Sequence, residues 1–479
     1  MSGQMSERRM RGWVVALTAI GSLMAALDTL VVSTALSTIR IDLGASLTSL
    51  EWTVNAYNLS FAVLLMTATA LGDRYGRRNM YALGLGLFAA ASAVCALAPN
   101  VGLLIAARAV QGAGAAFLLP LGLALLSAAF PPERRGAAIG IFSAITGLAV
   151  ASGPFVGGAI VQGLAWQWIF WLNVPIGLLA IPLVLMRMKE SFGGDTAVDV
   201  RGLVLVTAAA FGIVWGLVRG NPAGWGSPEV IGALVGGVAL GVAFVAWELR
   251  AREPMLPMGL FRSRAFSAGN AAIFFTIASL FTAVFFFAQL LQTGLGYGPL
   301  GTGVRLLPWT ATFMTIAPVA GALADRLGER PFMVFGLLLQ AAGMIWIALI
   351  AAPDVSYGQL VPPLIVAGSG VSLAIPAAQN SVVGSVAVEA LGKAAGTNSM
   401  MRELGGVFGI AIGVAVFAGA GSYASAQAFT DGFGPAIGVA AALSLAGALA
   451  ALALPGRRPA ARETTTSQLV PALETEAGR

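Results

Sequence analysis

The sequence has few charged residues, and this scarcity excludes a water-soluble protein. Charged side chains make up 10% of the 479 residues and hydrophobic ones make up 58%. A soluble globular protein carries roughly 25% charged residues. A surface with so little charge would aggregate in water, so we expect the chain to lie in a lipid bilayer.

Histidine is absent and cysteine occurs once, at Cys95. The usual proton carrier near neutral pH is therefore missing, as is the commonest metal ligand. Disulfides and cysteine-based metal sites are excluded as well. No G-x-x-x-x-G-K-[ST] segment occurs, which argues against ATP-driven pumping. We therefore expect no metal and no cofactor. We also expect no nucleic-acid partner, because the net charge of +6 reflects basic loops on one membrane face.

Long apolar runs predict an all-α transmembrane protein, because a helix needs about 20 apolar residues to cross the bilayer. The first run is too long for a signal peptide, and we expect it to be retained. The fourteen predicted spans are Trp13–Leu36, Trp52–Leu71, Met80–Ala98, Val101–Leu126, Ala137–Val161, Ile169–Met186, Gly202–Val218, Val230–Trp247, Phe266–Leu291, Gly303–Leu323, Pro331–Ile350, Leu360–Val383, Leu404–Ala418 and Ala436–Leu454.

The basic residues give an orientation for these spans. With the N-terminus in the cytoplasm, all 27 Lys and Arg residues fall in cytoplasmic segments except Arg40, Arg108, Arg219 and Arg305. Positive residues are retained on the cytoplasmic side of a membrane. Both termini are therefore predicted to be cytoplasmic. Residues 1–12 form the predicted N-terminal tail, and residues 456–479 form a tail predicted to be disordered.

Two predicted cytoplasmic loops are similar in sequence, and they indicate an internal repeat. Residues 71–78 read LGDRYGRR and residues 323–330 read LADRLGER. The loops lie eight spans apart, which predicts two six-helix halves, residues 13–190 and 262–455, separated by an inserted two-helix hairpin, residues 200–250. Repeated halves are typical of secondary transporters. The alternative is a chance likeness of two basic turns.

The predicted spans contain two isolated charges, Asp28 and Arg108. Helix rise places Asp28 about 22 Å from Trp13, which leaves about 8 Å to the outer side of the membrane. Arg108 lies about 10 Å from the same side. Charges at one depth are expected to pair. Burial raises the pKa of a carboxyl group and a nearby arginine lowers it, so the pair suits proton coupling. The alternative is a static pair that orients two helices.

Small residues recur at four-residue intervals in the fifth predicted span, at Ala149, Gly153 and Gly157. This spacing gives one helix face that permits close approach by another helix. Pro154 removes a backbone hydrogen bond and favours a bend. Generic packing of small residues is the alternative explanation for any single glycine.

Aromatic and amide side chains in the spans are candidates for lining a substrate cavity. The alternative for each is contact with lipid or with a neighbouring helix. The candidates are Tyr57, Gln111, Phe281, Phe285, Phe286, Gln289, Trp309, Gln340, Trp346, Gln379 and Asn380.

Taken together, these segments resemble the major facilitator superfamily, and within it the fourteen-span drug:proton antiporters. The two loops resemble the family's motif A, with Asp73, Arg74, Gly76, Arg77 and Arg78 in one copy and Asp325, Arg326, Gly328 and Arg330 in the other. Residues 104–114, LIAARAVQGAG, resemble motif B. Gly153, Pro154, Gly157 and Gly158 resemble motif C, the antiporter motif. Leu27-Asp28-Thr29 is similar to the family's first-span pattern, and residues 166–177 are similar to its stretch leading into span six.

The resemblance implies a proton-driven antiporter that exports small amphipathic drugs or antibiotics from a bacterial cell by alternating access. It implies that the motif A loops stabilise one access state on the cytoplasmic side. The alternative is that the basic residues of these loops only set the membrane topology. The proton gradient supplies the energy, and we expect a monomer. The alternatives are a facilitator-type carrier of a metabolite or lipid, a non-transporting membrane sensor, and an intramembrane enzyme. No paired carboxylates occur in the spans, which disfavours the enzyme.

Overall fold

The computed structural model describes residues 2–193, 198–386 and 390–456, and no strand occurs within them. The N-terminal helices are α1 (Ser2–Val31), α2 (Leu36–Asp42), α3 (Leu47–Tyr75), α4 (Arg77–Ala96), α5 (Val101–Ala129), α6 (Pro132–Gly163), α7 (Trp168–Trp171) and α8 (Asn173–Arg187). The next two are α9 (Val200–Ala223) and α10 (Pro228–Glu248). The remaining helices are α11 (Arg264–Gln289), α12 (Pro299–Arg305), α13 (Leu307–Leu327), α14 (Glu329–Ile350), α15 (Tyr357–Val383), α16 (Leu391–Ala420) and α17 (Ala426–Leu452).

The long helices overlap the predicted spans. In the described part of the chain, twelve helices are long and apolar enough to cross a membrane, and the bent α6 would be a thirteenth. The tenth predicted span coincides with α12 and α13, which are not among the twelve. The count of fourteen and the orientation of the termini therefore stay predictions. The predicted C-terminal tail lies outside the described residues except for Gly456, and α1 already begins at Ser2, within the predicted N-terminal tail.

Local sequence explains where many of the helices begin. Side-chain oxygens of Ser46, Asn100 and Ser263 accept hydrogen bonds from the first turns of α3, α5 and α11. Such N-caps satisfy backbone N–H groups that the helix itself leaves unpaired. Ser356 and Gln359 form a reciprocal capping box at the start of α15.

The thirteenth span differs from its prediction. It was predicted to begin at Leu404, where Arg402 and Glu403 flank the apolar run. In the structure α16 begins at Leu391 and has 30 residues. Arg402 donates a hydrogen bond to Glu403 at 3.0 Å, so the two charges are paired and need not end the membrane helix.

The helices pack as two groups with a pair attached. In the first group α5 packs against α3 and α4, and α1 packs against α6. In the second group α11 packs against α16 and α17, and α14 packs against α15. The groups meet where α3 packs against α16 and where α6 packs against α12. This arrangement places α3 and α6 beside the other half of the molecule.

The α9–α10 pair lies at the side of the bundle. Helix α9 contacts α3 and α16, and Trp52 of α3 lies 5.6 Å from the ring of Phe211. Asn221 donates a hydrogen bond to the Ala415 carbonyl at 2.5 Å. Helix α10 packs mainly on α9, and its Val235 and Val242 are 63% and 66% exposed. An apolar surface of this kind suits contact with lipid.

The start of α1, the α3–α4 turn at Gly76 and the end of α8 lie together, because Arg187 stacks on Trp13 and Arg78 donates to the carbonyls of Leu185 and Met188. We call this end the Gly76 face. The opposite end, which contains α2, is called the α2 face.

Candidate functional site

Asp28 on α1 and Arg108 on α5 form a buried ion pair. Their side chains are 1% and 0% exposed. Arg108 Nη1 donates to Asp28 Oδ2 and, at 2.7 Å, to Gln111 Oε1. Gln111 Nε2 donates to Asp28 Oδ1 at 2.9 Å, which closes a ring of three side chains. The structure thus brings together two charges whose depths were predicted to match.

The protein backbone and aromatic rings hold the guanidinium group in place. Arg108 Nε donates to the carbonyl of Thr53 at 3.0 Å. The guanidinium carbon lies 4.2 Å from the centre of the Tyr57 ring, a distance suited to a cation–π interaction. The Tyr57 hydroxyl donates to the Ala25 carbonyl at 3.0 Å. Arg108 therefore keeps neutral acceptors on α3 and α5 whether or not Asp28 carries a charge.

Three further acids are buried in the described membrane helices, namely Glu51, Glu403 and Glu248, the last residue of α10. Sequence reasoning missed the burial of all three. The predicted spans begin at Trp52 and at Leu404, which left Glu51 and Glu403 just outside them, but the exposed fractions of these two acids are 0% and 4%. The inference that Asp28 is the one acid well inside a span is therefore wrong. Glu403 lies about 18 Å along α16 from its start, near the middle of this 30-residue helix.

The first copy of motif A forms a tight turn on the Gly76 face. Helix α3 ends at Tyr75, α4 begins at Arg77, and Gly76 between them has a φ of +102°. This left-handed backbone favours glycine. Arg77 Nε pairs with Asp73 Oδ1 at 2.7 Å, and Arg74 stacks on Tyr75 at 5.5 Å.

Glu190 completes this turn from 112 residues away in sequence. Its carboxylate accepts hydrogen bonds from the backbone N–H groups of Arg78 at 2.8 Å and Asn79 at 3.3 Å. The acid at the start of α4 is therefore Glu190. The segment also binds Asp73 directly, because Gly193 N donates to the Asp73 carbonyl at 3.0 Å. No local sequence pattern predicts that Glu190 caps α4, because Glu190 follows α8 and lies far from α4 in sequence.

The second copy of motif A repeats the same backbone turn. Helix α13 ends at Leu327, α14 begins at Glu329, and Gly328 has a φ of +92°. Arg330 is exposed. The side chains of Asp325 and Arg326 lie outside the described residues. The two glycine turns therefore agree in backbone geometry as well as in sequence.

The motif C glycines place α6 against two helices at once. A Cβ atom on Gly153 would lie 3.1 Å from Leu30 Cβ, and one on Gly157 would lie 2.6 Å from the Val31 carbonyl, so both glycines face α1. A Cβ on Gly158 would lie 3.0 Å from Leu300 Cα on α12. Two segments of α6 on either side of residues 150–151 meet at 46°, and Pro154 lies within the second of them. Motif C thus contacts both halves.

The predicted cavity residues do not come together at one place. Tyr57 and Gln111 belong to the ion-pair cluster, while Phe281, Phe285, Phe286, Gln289 and Trp309 are buried in the second half. Gln340 donates to Ser279 at 2.9 Å and so links α14 to α11. Trp346 is 45% exposed, Gln379 is exposed and Asn380 is half-buried. Cavity lining stays a prediction for these residues.

Side chains connect the two halves at the α2 face. The guanidinium carbon of Arg40 lies 4.6 Å from the Tyr423 ring centre, and the Tyr423 hydroxyl donates to Gln289. Burial raises the pKa of Tyr423, so this hydroxyl keeps the proton that it donates. Gln292 donates to the Thr34 carbonyl at 2.9 Å. The seam between the halves is therefore bridged at this end.

Comparison with known proteins agrees with this architecture. The Major Facilitator Superfamily model matches residues 18–410 and 270–476. The xylose transporter XylE from E. coli, in a partially occluded inward-open conformation, superimposes with a TM-score of 0.60 at 13% identity, covering 92% of this chain and 97% of that one. A POT family transporter superimposes with a TM-score of 0.67 at 17% identity, covering 91% and 95%. These solved structures share the fold.

The relatives found by sequence indicate a narrower class of transporter than the solved structures do. The chain is 35% identical to a tetracenomycin C resistance and export protein of Streptomyces glaucescens, over 85% of this chain and 76% of that protein. It is 34% identical to a puromycin resistance protein of Streptomyces alboniger, over 97% and 95%, and 33% identical to a methylenomycin A resistance protein of Bacillus subtilis, over 86% and 89%. The chain is therefore a multi-pass membrane transporter, not an enzyme, and it belongs to the drug-efflux members of the major facilitator superfamily.

Proposed function

We propose that this protein is a proton-coupled antiporter that exports small amphipathic antibiotics from the bacterial cytoplasm across the cell membrane. The relatives are named for resistance to tetracenomycin C, puromycin and methylenomycin A, which supports the substrate class. Fourteen spans with both termini in the cytoplasm fit the distribution of basic residues. The chain works as a monomer, and the proton gradient is its energy source.

The observation that carries proton coupling is the buried ring of Asp28, Arg108 and Gln111. An ionisable group inside a membrane helix is costly, so such a group is a candidate for a functional role. When Asp28 takes up a proton, Arg108 still donates to Thr53 and Gln111, so the protonated state does not leave the guanidinium without acceptors. The ring therefore has two workable protonation states, as a proton carrier requires.

Coupling follows if these two states favour different access states. The unprotonated carboxylate binds α1 to α5 through Arg108, and the protonated form loosens this link. Helix α1 also packs on the motif C glycines of α6. A shift of α1 therefore displaces α6, which contacts the second half at α12. A ligand can shift such an equilibrium only by binding the two states with different affinity. Drug and proton that favour opposite states give antiport.

The test is pH-gradient-driven drug movement in proteoliposomes, with the released protons measured at the same time. Wild-type protein is expected to move drug only when a gradient is imposed. Asp28→Asn is expected to abolish gradient-driven transport while keeping binding of neutral drugs. Asp431→Asn is the matched control, since Asp431 is exposed and bonds to Gln427 at 2.7 Å. Transport by wild type that ignores the gradient would reject proton coupling.

A further inference from the structure

Helix α3 carries a second group of buried polar side chains, separate from the ion-pair ring. Glu51, Asn55 and Asn58 are each 0% exposed. Their spacing of four and then three residues places them on one face of the helix. They cover about 10 Å of its length. We call these three residues the polar strip.

Most hydrogen-bonding atoms of the polar strip have no partner. Asn55 Nδ2 donates to Glu51 Oε1 at 3.3 Å. Glu51 Oε2, Asn55 Oδ1 and both terminal atoms of Asn58 make no hydrogen bond. A buried polar atom without a partner costs its full desolvation free energy. Four such atoms within two turns of one helix indicate a surface that is completed by something else.

The polar strip also lacks a counter-charge. No described Lys or Arg forms an ion pair with Glu51. Arg108 pairs with Asp28 of α1 and donates to the Thr53 carbonyl on a different face of α3. A buried carboxylate needs either a proton or a cation. A proton on Glu51 would leave the side-chain oxygens of Asn55 and Asn58 without donors, so the single partner that satisfies the whole strip is a group that supplies both positive charge and N–H donors.

The position of the strip places it at the seam between the two halves. The same face of α3 continues at Ala62, four residues after Asn58. Ala62 packs in one apolar cluster with Met400, Leu404 and Val407 of α16. Helix α16 belongs to the second half of the molecule. The strip thus faces the region where a transporter of alternating access holds its substrate.

We propose that the polar strip is a subsite for the protonated amine of an organic cation, an assignment that rests on the proposed export function. The Glu51 carboxylate supplies the counter-charge. The side-chain oxygens of Asn55 and Asn58 accept the remaining N–H groups of the ammonium. Asn58 Nδ2 donates to an oxygen near the amine. The apolar body of the substrate lies against the adjacent part of α16.

The test compares amines with their neutral N-acetyl derivatives. The probes are doxorubicin and dansylcadaverine, which each carry one protonated primary amine, and the N-acetyl form of each. Binding to the purified full-length protein is measured by fluorescence anisotropy. Wild type is expected to bind each amine about tenfold or more tightly than its N-acetyl partner, because a hydrogen bond to a charged group is strong.

Glu51→Gln is expected to remove this preference, by raising the Kd of the amines roughly tenfold to hundredfold while leaving the Kd of the neutral partners unchanged. Asp431→Asn, an exposed acid, is expected to keep it. Asn58→Leu provides a second measurement that does not depend on charge. It removes two unpartnered polar atoms, so it should raise the melting temperature of the empty protein and weaken amine binding.

Wild type that binds the amines no better than their N-acetyl partners overturns the assignment. So does Glu51→Gln that keeps the preference, or Asn58→Leu that lowers stability and leaves affinity unchanged. These outcomes are distinct from failure of the proposed function. Wild type that exports the neutral probes under a pH gradient retains that function even if the amine subsite is rejected, whereas no gradient-driven export of any probe rejects the function itself.

Discussion

The ion pair of Asp28 and Arg108 permits a quantitative prediction, because each partner can be removed alone or together with the other. Asp28→Asn leaves a guanidinium group that is 0% exposed without its carboxylate. Breaking a buried ion pair in this way costs about 3–5 kcal/mol. Arg108 keeps neutral acceptors at 3.0 Å on Thr53 and 2.7 Å on Gln111. We therefore expect a loss near the lower limit, about 3 kcal/mol in the free energy of unfolding.

Arg108→Gln leaves the carboxylate buried with Gln111 as a remaining donor. A proton can neutralise a carboxyl group, whereas a guanidinium cannot lose its charge. The loss is therefore expected to be smaller than for Asp28→Asn, and to diminish as the pH falls and the proton binds. The double variant contains no buried charge at this site, and its stability should return to within about 1 kcal/mol of wild type, since replacing a whole buried pair is often neutral.

The assay is equilibrium unfolding of the four proteins in mixed micelles, with gradient-driven efflux measured on the same preparations. A double-mutant cycle then gives the coupling free energy between the two residues. Recovered stability without recovered transport is expected. This result would show that the pair is needed for coupling and not merely for folding. Strictly additive losses would refute the ion-pair argument. Full proton-coupled efflux by the double variant would leave only a static role in orienting α1 and α5.

Three further outcomes follow from contacts described above. Gly157→Leu should impair transport while leaving membrane insertion normal, because a Cβ there would lie 2.6 Å from the Val31 carbonyl; Gly163→Leu, with no atom within 4 Å, is the control in the same transport assay. Glu190→Gln should lower the free energy of unfolding by about 1 kcal/mol, by weakening the bonds that cap α4, and calorimetry showing no change would contradict the cap. Arg40→Gln removes the guanidinium group that lies 4.6 Å from the Tyr423 ring centre across the two halves, so the accessibility of a cysteine introduced at the α2 face should rise, and unchanged labelling would show that this contact does not hold the face closed.

Hydropathy and spacing predicted the helices because each span is a long local pattern. Each predicted span overlaps one helix or two consecutive helices, and the two glycine turns of motif A lie where the repeated loops were found. The common depth of Asp28 and Arg108 could be predicted as well, since helix rise converts distance from the span end into depth. These inferences need no knowledge of how the helices are arranged around one another.

The residues that sequence reasoning missed all depend on that arrangement. Glu51 lies in the second turn of α3, so its sequence position indicates a membrane surface; it is buried because other helices cover that end of α3. Glu190 reaches α4 only because α8 returns to the Gly76 face. Glu403 was assigned to a span end because charge interrupts an apolar run, although pairing with Arg402 lets the helix continue. Tertiary contacts, which no single segment encodes, decide each case.

The glycines of α6 also determine how movement is passed between the halves. Where Gly153 and Gly157 meet α1, and where Gly158 meets α12, the contact involves backbone with no intervening side chain on α6. Such a surface has no rotamers that could absorb a small displacement. A movement of α1 must therefore carry α6 with it or open a gap, and α6 in turn presses on α12. The helix that holds Asp28 is in this way mechanically linked to a half of the protein that it does not belong to.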